Sequence, residues 1–119
     1  MPVLRLDHIQ IAAPPGSEGV ARQFYGGLLR LPEIAKPSEL ASRGGVWFQV
    51  GEHQLHIGIE EPFAPARKAH PAFAVEDLDK LARELQDAGF PVKQDEDVPH
   101  VRRFFTNDPF GNRLEFLAA

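Results

Sequence analysis

Laid over itself with His8 on His70, this chain runs twice through one order of elements: strand, helix, short strand and hairpin. That internal repeat constrains the fold most, because two supersecondary units of like order must share 119 residues. In the same alignment Gln54-Leu55-His56-Ile57 falls on Arg113-Leu114-Glu115-Phe116. Each copy therefore carries a ligand-type side chain on its first strand and another on its last. The boundary is expected in the linker 62–68, marked by Pro62 and Pro65, which leaves modules at 1–61 and 69–119.

Residues 4–13 alternate as a strand does, with Ile9 and Ile11 on one face and His8 and Gln10 on the other. Pro14-Pro15-Gly16 ends that strand. Ser17 is then placed to cap a helix whose apolar positions Val20, Phe24 and Leu28 recur every four residues. After an irregular stretch, strands are expected at 46–50 and 54–60, joined through Gly51-Glu52-His53. In the second copy, 69–75 reads as a strand and Asp77 as the N-cap of a helix with Leu78, Leu81 and Leu85 on one face. Gly89 stands where that helix should stop. A short extended piece near 92–94 precedes strands near 102–106 and 112–117, with Asn107-Asp108-Pro109-Phe110-Gly111 as the turn between them.

Composition removes several chemistries. With no cysteine there is no disulfide scaffold, thiolate zinc site, iron–sulfur cluster or cysteine nucleophile. The serines Ser17, Ser38 and Ser42 lie in no nucleophile elbow, and neither nucleotide-binding glycine pattern occurs. Thirteen basic against 17 acidic side chains give a net charge of −4, with no basic stripe for nucleic-acid phosphates. No apolar run approaches the roughly 18 residues of a membrane span. Arg5, Asp7 and His8 interrupt the apolar core that a signal peptide would need. The expected partner is a small molecule, met in the cytoplasm, rather than a nucleic acid or a membrane.

Strand alternation also sorts the polar side chains by face. Leu55, Ile57 and Ile59 take the helix-facing side of their strand, which turns His56 away, and Leu114 and Phe116 likewise turn Glu115 away. His8 lies opposite Ile9 and Ile11, and His70 is in register with the small Ala72 and Ala74. If the sheet curls, His8, His56, His70 and Glu115 converge on its concave side. Imidazole and carboxylate are borderline ligands suited to zinc, iron, nickel, cobalt or manganese. Trp47 and Gln49 share that face as candidate substrate contacts. One of Arg102 and Arg103 should turn inward, where it could grip a carboxylate or phosphonate with two donors.

Leu6-Asp7-His8-Ile9, Phe24-Tyr25 with Leu28-Leu29, Gln54-Leu55-His56-Ile57 and above all Asp108-Pro109-Phe110-Gly111-Asn112-Arg113-Leu114-Glu115-Phe116 resemble the vicinal oxygen chelate superfamily. That family includes glyoxalase I, methylmalonyl-CoA epimerase, fosfomycin-resistance thiol transferases, extradiol dioxygenases and bleomycin-resistance proteins. The resemblance implies an α+β fold of two βαβββ modules whose curved mixed sheets form a cavity. It also implies one divalent metal per site, with His8, His56, His70 and Glu115 in the four ligand slots, and a homodimer whose sites are shared between chains. Where glyoxalase I and similar isomerases usually carry a carboxylate, and the epimerases an amide, this chain has His56. The function expected is a metal-dependent enzyme that chelates an oxygen-bearing small molecule, with Glu115 or a metal-bound water moving protons. The alternative is a metal-free module that sequesters a planar or cationic ligand.

Overall fold

The computed structural model describes residues 1–119, which form two compact units, Met1–Ala64 and Pro65–Ala119. In the first, β1 (His8–Ala13) leads to α1 (Glu18–Ala21), which continues as a π-helical stretch over Arg22–Leu28. Then come β2 (Glu33–Ile34), a 3₁₀ segment (Ser38–Arg43), β3 (Val46–Val50) and β4 (His53–Ile59). The second unit runs β5 (Ala72–Val75), α2 (Leu78–Asp87), β6 (Lys93–Asp95), β7 (Arg103–Asn107) and β8 (Arg113–Ala118). Each unit is thus βαβββ with a four-stranded mixed sheet, in the orders β1-β4-β3-β2 and β5-β8-β7-β6. The first strand of each unit pairs parallel with the last, and the other pairings are antiparallel.

The apolar faces of the strands make the cores. In the first unit Val46, Phe48, Leu55 and Ile57 bury with Ala21, Phe24 and Tyr25, and in the second Phe104, Leu114 and Phe116 bury with Leu78, Ala82 and Leu85. Each large side chain so buried stabilises its unit by about 1.5–3 kcal/mol. Asp77 caps α2 as its sequence position predicts, its carboxylate accepting from the Lys80 amide at 3.1 Å. Gly45, at φ +89°, admits no other residue: a Cβ there would lie 2.3 Å from the Ile57 carbonyl oxygen.

The first helix departs from the four-residue spacing of Val20, Phe24 and Leu28. Its buried residues are Ala21, Phe24 and Tyr25, while Val20 is 44% exposed. The Leu29 amide donates to the Phe24 carbonyl at 2.9 Å, five residues back, and this widened turn brings adjacent Phe24 and Tyr25 into one core. Ser17 stands at the N-cap, but its hydroxyl makes no capping bond and is buried without a partner. β2 and the 3₁₀ segment occupy what reads in the sequence as irregular chain. β5 starts at Ala72, so His70 precedes its strand instead of opening it.

Candidate functional site

In the second unit the polar face of the sheet holds a connected set of charges. Glu115, on β8 between core residues Leu114 and Phe116, is 6% exposed. Its Oε1 lies 2.9 Å from His70 Nε2, and its Oε2 accepts more distantly, at 3.5 Å, from Arg103 Nη1. Arg103 in turn bonds Asp95, through Nε at 2.8 Å and Nη2 at 2.6 Å. Asp95 sits directly opposite Arg103 across the β6–β7 pair. The Asp97 amide, and then Arg103, hold the Asp95 carboxyl below the usual carboxylate range, because both favour its anion. Phe105 stands beside this set, edge-on to His70 at 5.4 Å and covered by the Arg113 guanidinium at 4.3 Å.

The other His70 nitrogen, Nδ1, lies 2.8 Å from the Lys68 carbonyl. That acceptor takes the Nδ1 proton and leaves Nε2 turned toward Glu115, and a carbonyl holding Nδ1 in this way prepares a histidine to ligate through Nε2. The 2.9 Å between Nε2 and Oε1 is also close to the spacing of neighbouring ligands on a divalent cation bound at about 2.1 Å. His70 and Glu115, here at hydrogen-bonding distance, are two donors of a kind that suits a divalent cation.

In the first unit His56, 4% exposed, lies between two rings. Trp47 stacks on it at 3.6 Å and 2°, as the β3–β4 register dictates by setting the two residues opposite each other. His8 stacks on it at 4.2 Å and 18°. Burial, and next the charge of His8, lower the His56 pKa from its ordinary value. His56 Nε2 meets Gln54 Oε1 at 2.9 Å, while His8 Nδ1 meets Asp7 Oδ2 at 2.9 Å and Asp7 also pairs with Arg5. His8 and then Arg5 pull the Asp7 pKa down. Stacked rings aim their nitrogen lone pairs in nearly parallel planes, so this pair reaches a common cation only when His8 turns out of the stack. With 44% of its side chain exposed, His8 has room to do so.

The four ligand candidates thus stand as two pairs, His8 with His56 and His70 with Glu115, and neither unit gathers three or more such side chains into a ligand group. Of the two arginines, Arg103 faces the site, whereas Arg102 precedes β7 and donates to Asp79 on α2 at 2.6 Å. Gln49 is committed locally, donating to the Gly51 and His53 carbonyls at 2.8 and 3.0 Å to close the β3–β4 turn. Trp47 presents its face to His56. Asp95, Gln54 and Phe105 belong to these clusters and were not singled out by the sequence. Asp95 becomes recognisable only with the register that sets it across from Arg103.

A profile of the glyoxalase/bleomycin resistance protein/dioxygenase superfamily matches residues 5–116. The chain belongs to this superfamily. A glyoxalase-family protein from Bacillus anthracis superposes on it with a TM-score of 0.93 at 48% identity, covering 98% of this chain and 95% of that one. The fold alone is shared with the fosfomycin resistance protein FosX of Listeria monocytogenes, solved with Mn(II) and a dihydroxypropylphosphonic acid (TM-score 0.81, 17% identity, 98% and 93% covered). It is shared too with a lactoylglutathione lyase of Agrobacterium tumefaciens (0.72, 18%, 100% and 96%). Among curated proteins no sequence match is found. No helix is long and apolar enough to cross a membrane.

Proposed function

We propose that this superfamily member is a small divalent-metal-dependent enzyme acting on an oxygen-bearing small molecule, as a lyase or isomerase, a transferase or a dioxygenase. The observation that carries the reading is the His70–Glu115 pair, with ligand-like spacing and a Lys68 carbonyl that presets His70. His70 and Glu115 would hold the cation with His8 and His56, in a homodimer whose sites draw on both chains. A cation held there supplies Lewis acidity toward a substrate oxygen. Glu115 is the proton carrier: Oε1 faces His70, while Oε2, touched only at 3.5 Å by Arg103, is the oxygen free to take a substrate proton. Arg103, braced by Asp95, keeps that carboxylate aimed. Trp47 supplies a planar wall over His56.

The test is metal content of chelator-treated protein after loading with manganese, zinc, nickel, cobalt or ferrous iron. Near-stoichiometric uptake by the wild type, lost in His70→Ala and Glu115→Gln, is the expected result. A wild type that takes up none of them refutes it. The second reading, a metal-free sequestering module, is favoured by the His8–His56–Trp47 stack, which already offers an aromatic surface for a planar ligand. Quenching of Trp47 emission by planar cations, in a protein that takes up no metal, would establish that reading instead.

A further inference from the structure

The second unit contains a cleft of about 650 Å³, within the range of small-molecule sites, on the same sheet face as Glu115. Its walls are partly apolar, from Pro65, Pro91, Val92 and Phe105. Three cations also line it: Arg67, Lys93 and Arg113. Register explains two of them. Lys93 is the direct partner of Phe105 across β6–β7, and Phe105 is that of Glu115 across β7–β8, so all three side chains share one face. Arg113 lies two residues before Glu115 on that face and rests its guanidinium on the Phe105 ring.

These cations differ from Arg103 in what holds them. Arg103 is neutralised by Asp95 and Glu115, whereas no carboxylate pairs with Arg67, Lys93 or Arg113. Of the two acids lining the cleft, Asp95 is taken by Arg103, which leaves Asp97 as a single counterweight to three cations. Stacking on Phe105 holds one flat side of the Arg113 guanidinium and leaves its edge donors available, which suits two-pronged recognition of an oxyanion. The overall charge of −4 makes this local excess of positive charge the more distinct.

We infer that the cleft is an organic-anion subsite: Arg113, Lys93 and Arg67 bind a carboxylate or phosphate-type group whose apolar body lies against Phe105, Pro91 and Val92. This rests on the proposed function in one respect, that the bound molecule is the substrate. Phe105, which touches both His70 and Arg113, then lies between its reacting end and its charged end.

The test is calorimetric titration of the full chain with phenylphosphonate, benzoate and uncharged benzyl alcohol, with metal uptake and thermal unfolding measured in parallel. The wild type should bind at least one of the anions, in a salt-sensitive manner, and bind benzyl alcohol at least about tenfold more weakly. Arg113→Met and the exposed-site variant Lys93→Met should each weaken anion binding about tenfold while leaving metal uptake unchanged. Which anion is preferred separates a phosphonate or phosphate group from a carboxylate. Anion affinity that survives in both variants, equal affinity for benzyl alcohol, or no anion binding by the wild type overturns the inference. Anion binding lost in the variants of a protein that takes up no metal supports the subsite and refutes the metal reading alone.

Discussion

Replacing Asp108 is the sharpest test of how the closing motif builds the site. Asp108 is 4% exposed and closes the β7–β8 turn with its carboxylate. Oδ1 accepts from the Phe110 and Asn112 amides, each at 2.9 Å, and Oδ2 accepts from Asn112 Nδ2 at 2.9 Å. Hydrogen bonds to a charged group contribute about 1.5–3 kcal/mol each, and a buried donor left unpaired costs about 1–3 kcal/mol. Asp108→Ala removes these three acceptor contacts and takes a partner from the buried Asn112 amide and side-chain nitrogen. Because the three bonds share one group they do not add fully, so the expected loss is about 3–5 kcal/mol. Asp108→Asn keeps an oxygen for the two backbone amides and gives up the bond from Asn112 Nδ2, so a smaller loss of about 1–2 kcal/mol is expected. Urea unfolding followed by circular dichroism, with the denaturant slope unchanged, measures both. An alanine variant within about 1 kcal/mol of wild type, or an asparagine variant as unstable as the alanine one, refutes the argument that acceptor geometry holds this turn.

Gly45→Ala should destabilise by about 3 kcal/mol or more, since positive φ and a 2.3 Å approach to the Ile57 oxygen both oppose a Cβ; thermal unfolding would show it. Glu18 accepts from the Gly45 amide at 2.8 Å, which is the first cause of its lowered pKa. A depressed carboxyl pKa gives stability that is present above its unfolded value near 4.5 and lost as pH falls through the folded one. Glu18→Gln should therefore flatten the stability profile below that pH, by about 1 kcal/mol or more in denaturant titrations. His56 acts in a separate window: its lowered pKa means the unfolded chain binds a proton first, so stability declines as pH drops below 6.5, and His56→Gln should remove that decline. An unchanged profile in His56→Gln would show that the imidazole is not the titrating group.

The alternation of apolar and polar residues made the two sheets legible, because period two determines both the strand and its buried side. Leu55 and Ile57 inward with His56 outward, and Leu114 and Phe116 inward with Glu115 outward, follow from that rule alone. Ring stacking was not legible: burial of His56 comes from Trp47 and His8 covering it, which depends on strand order and register. The first helix escaped a four-residue period because its backbone widens to place Phe24 and Tyr25 side by side. Between Arg102 and Arg103, one residue of strand phase decides which reaches Glu115 and which reaches α2. The start of β7 at Arg103 sets that phase, and no composition signal marks it. Gln49 is in the expected register, but two nearby carbonyls claim its amide.

The parallel pairing of each unit's first strand with its last bears on how the chain is made. His8 pairs in register with Gln54, so β1 has no partner until almost the whole first unit has been synthesised. At ribosomal speeds that delay is roughly 2–10 s, long against hairpin formation, which takes microseconds. For that interval β1, with Ile9 and Ile11 on it, lacks the strand it pairs with, and Val3, Leu4 and Leu6 just ahead of it add exposed apolar surface. Arg5 and Asp7, just ahead of β1 and paired with each other in the folded protein, are charges of the kind that discourage unwanted pairing.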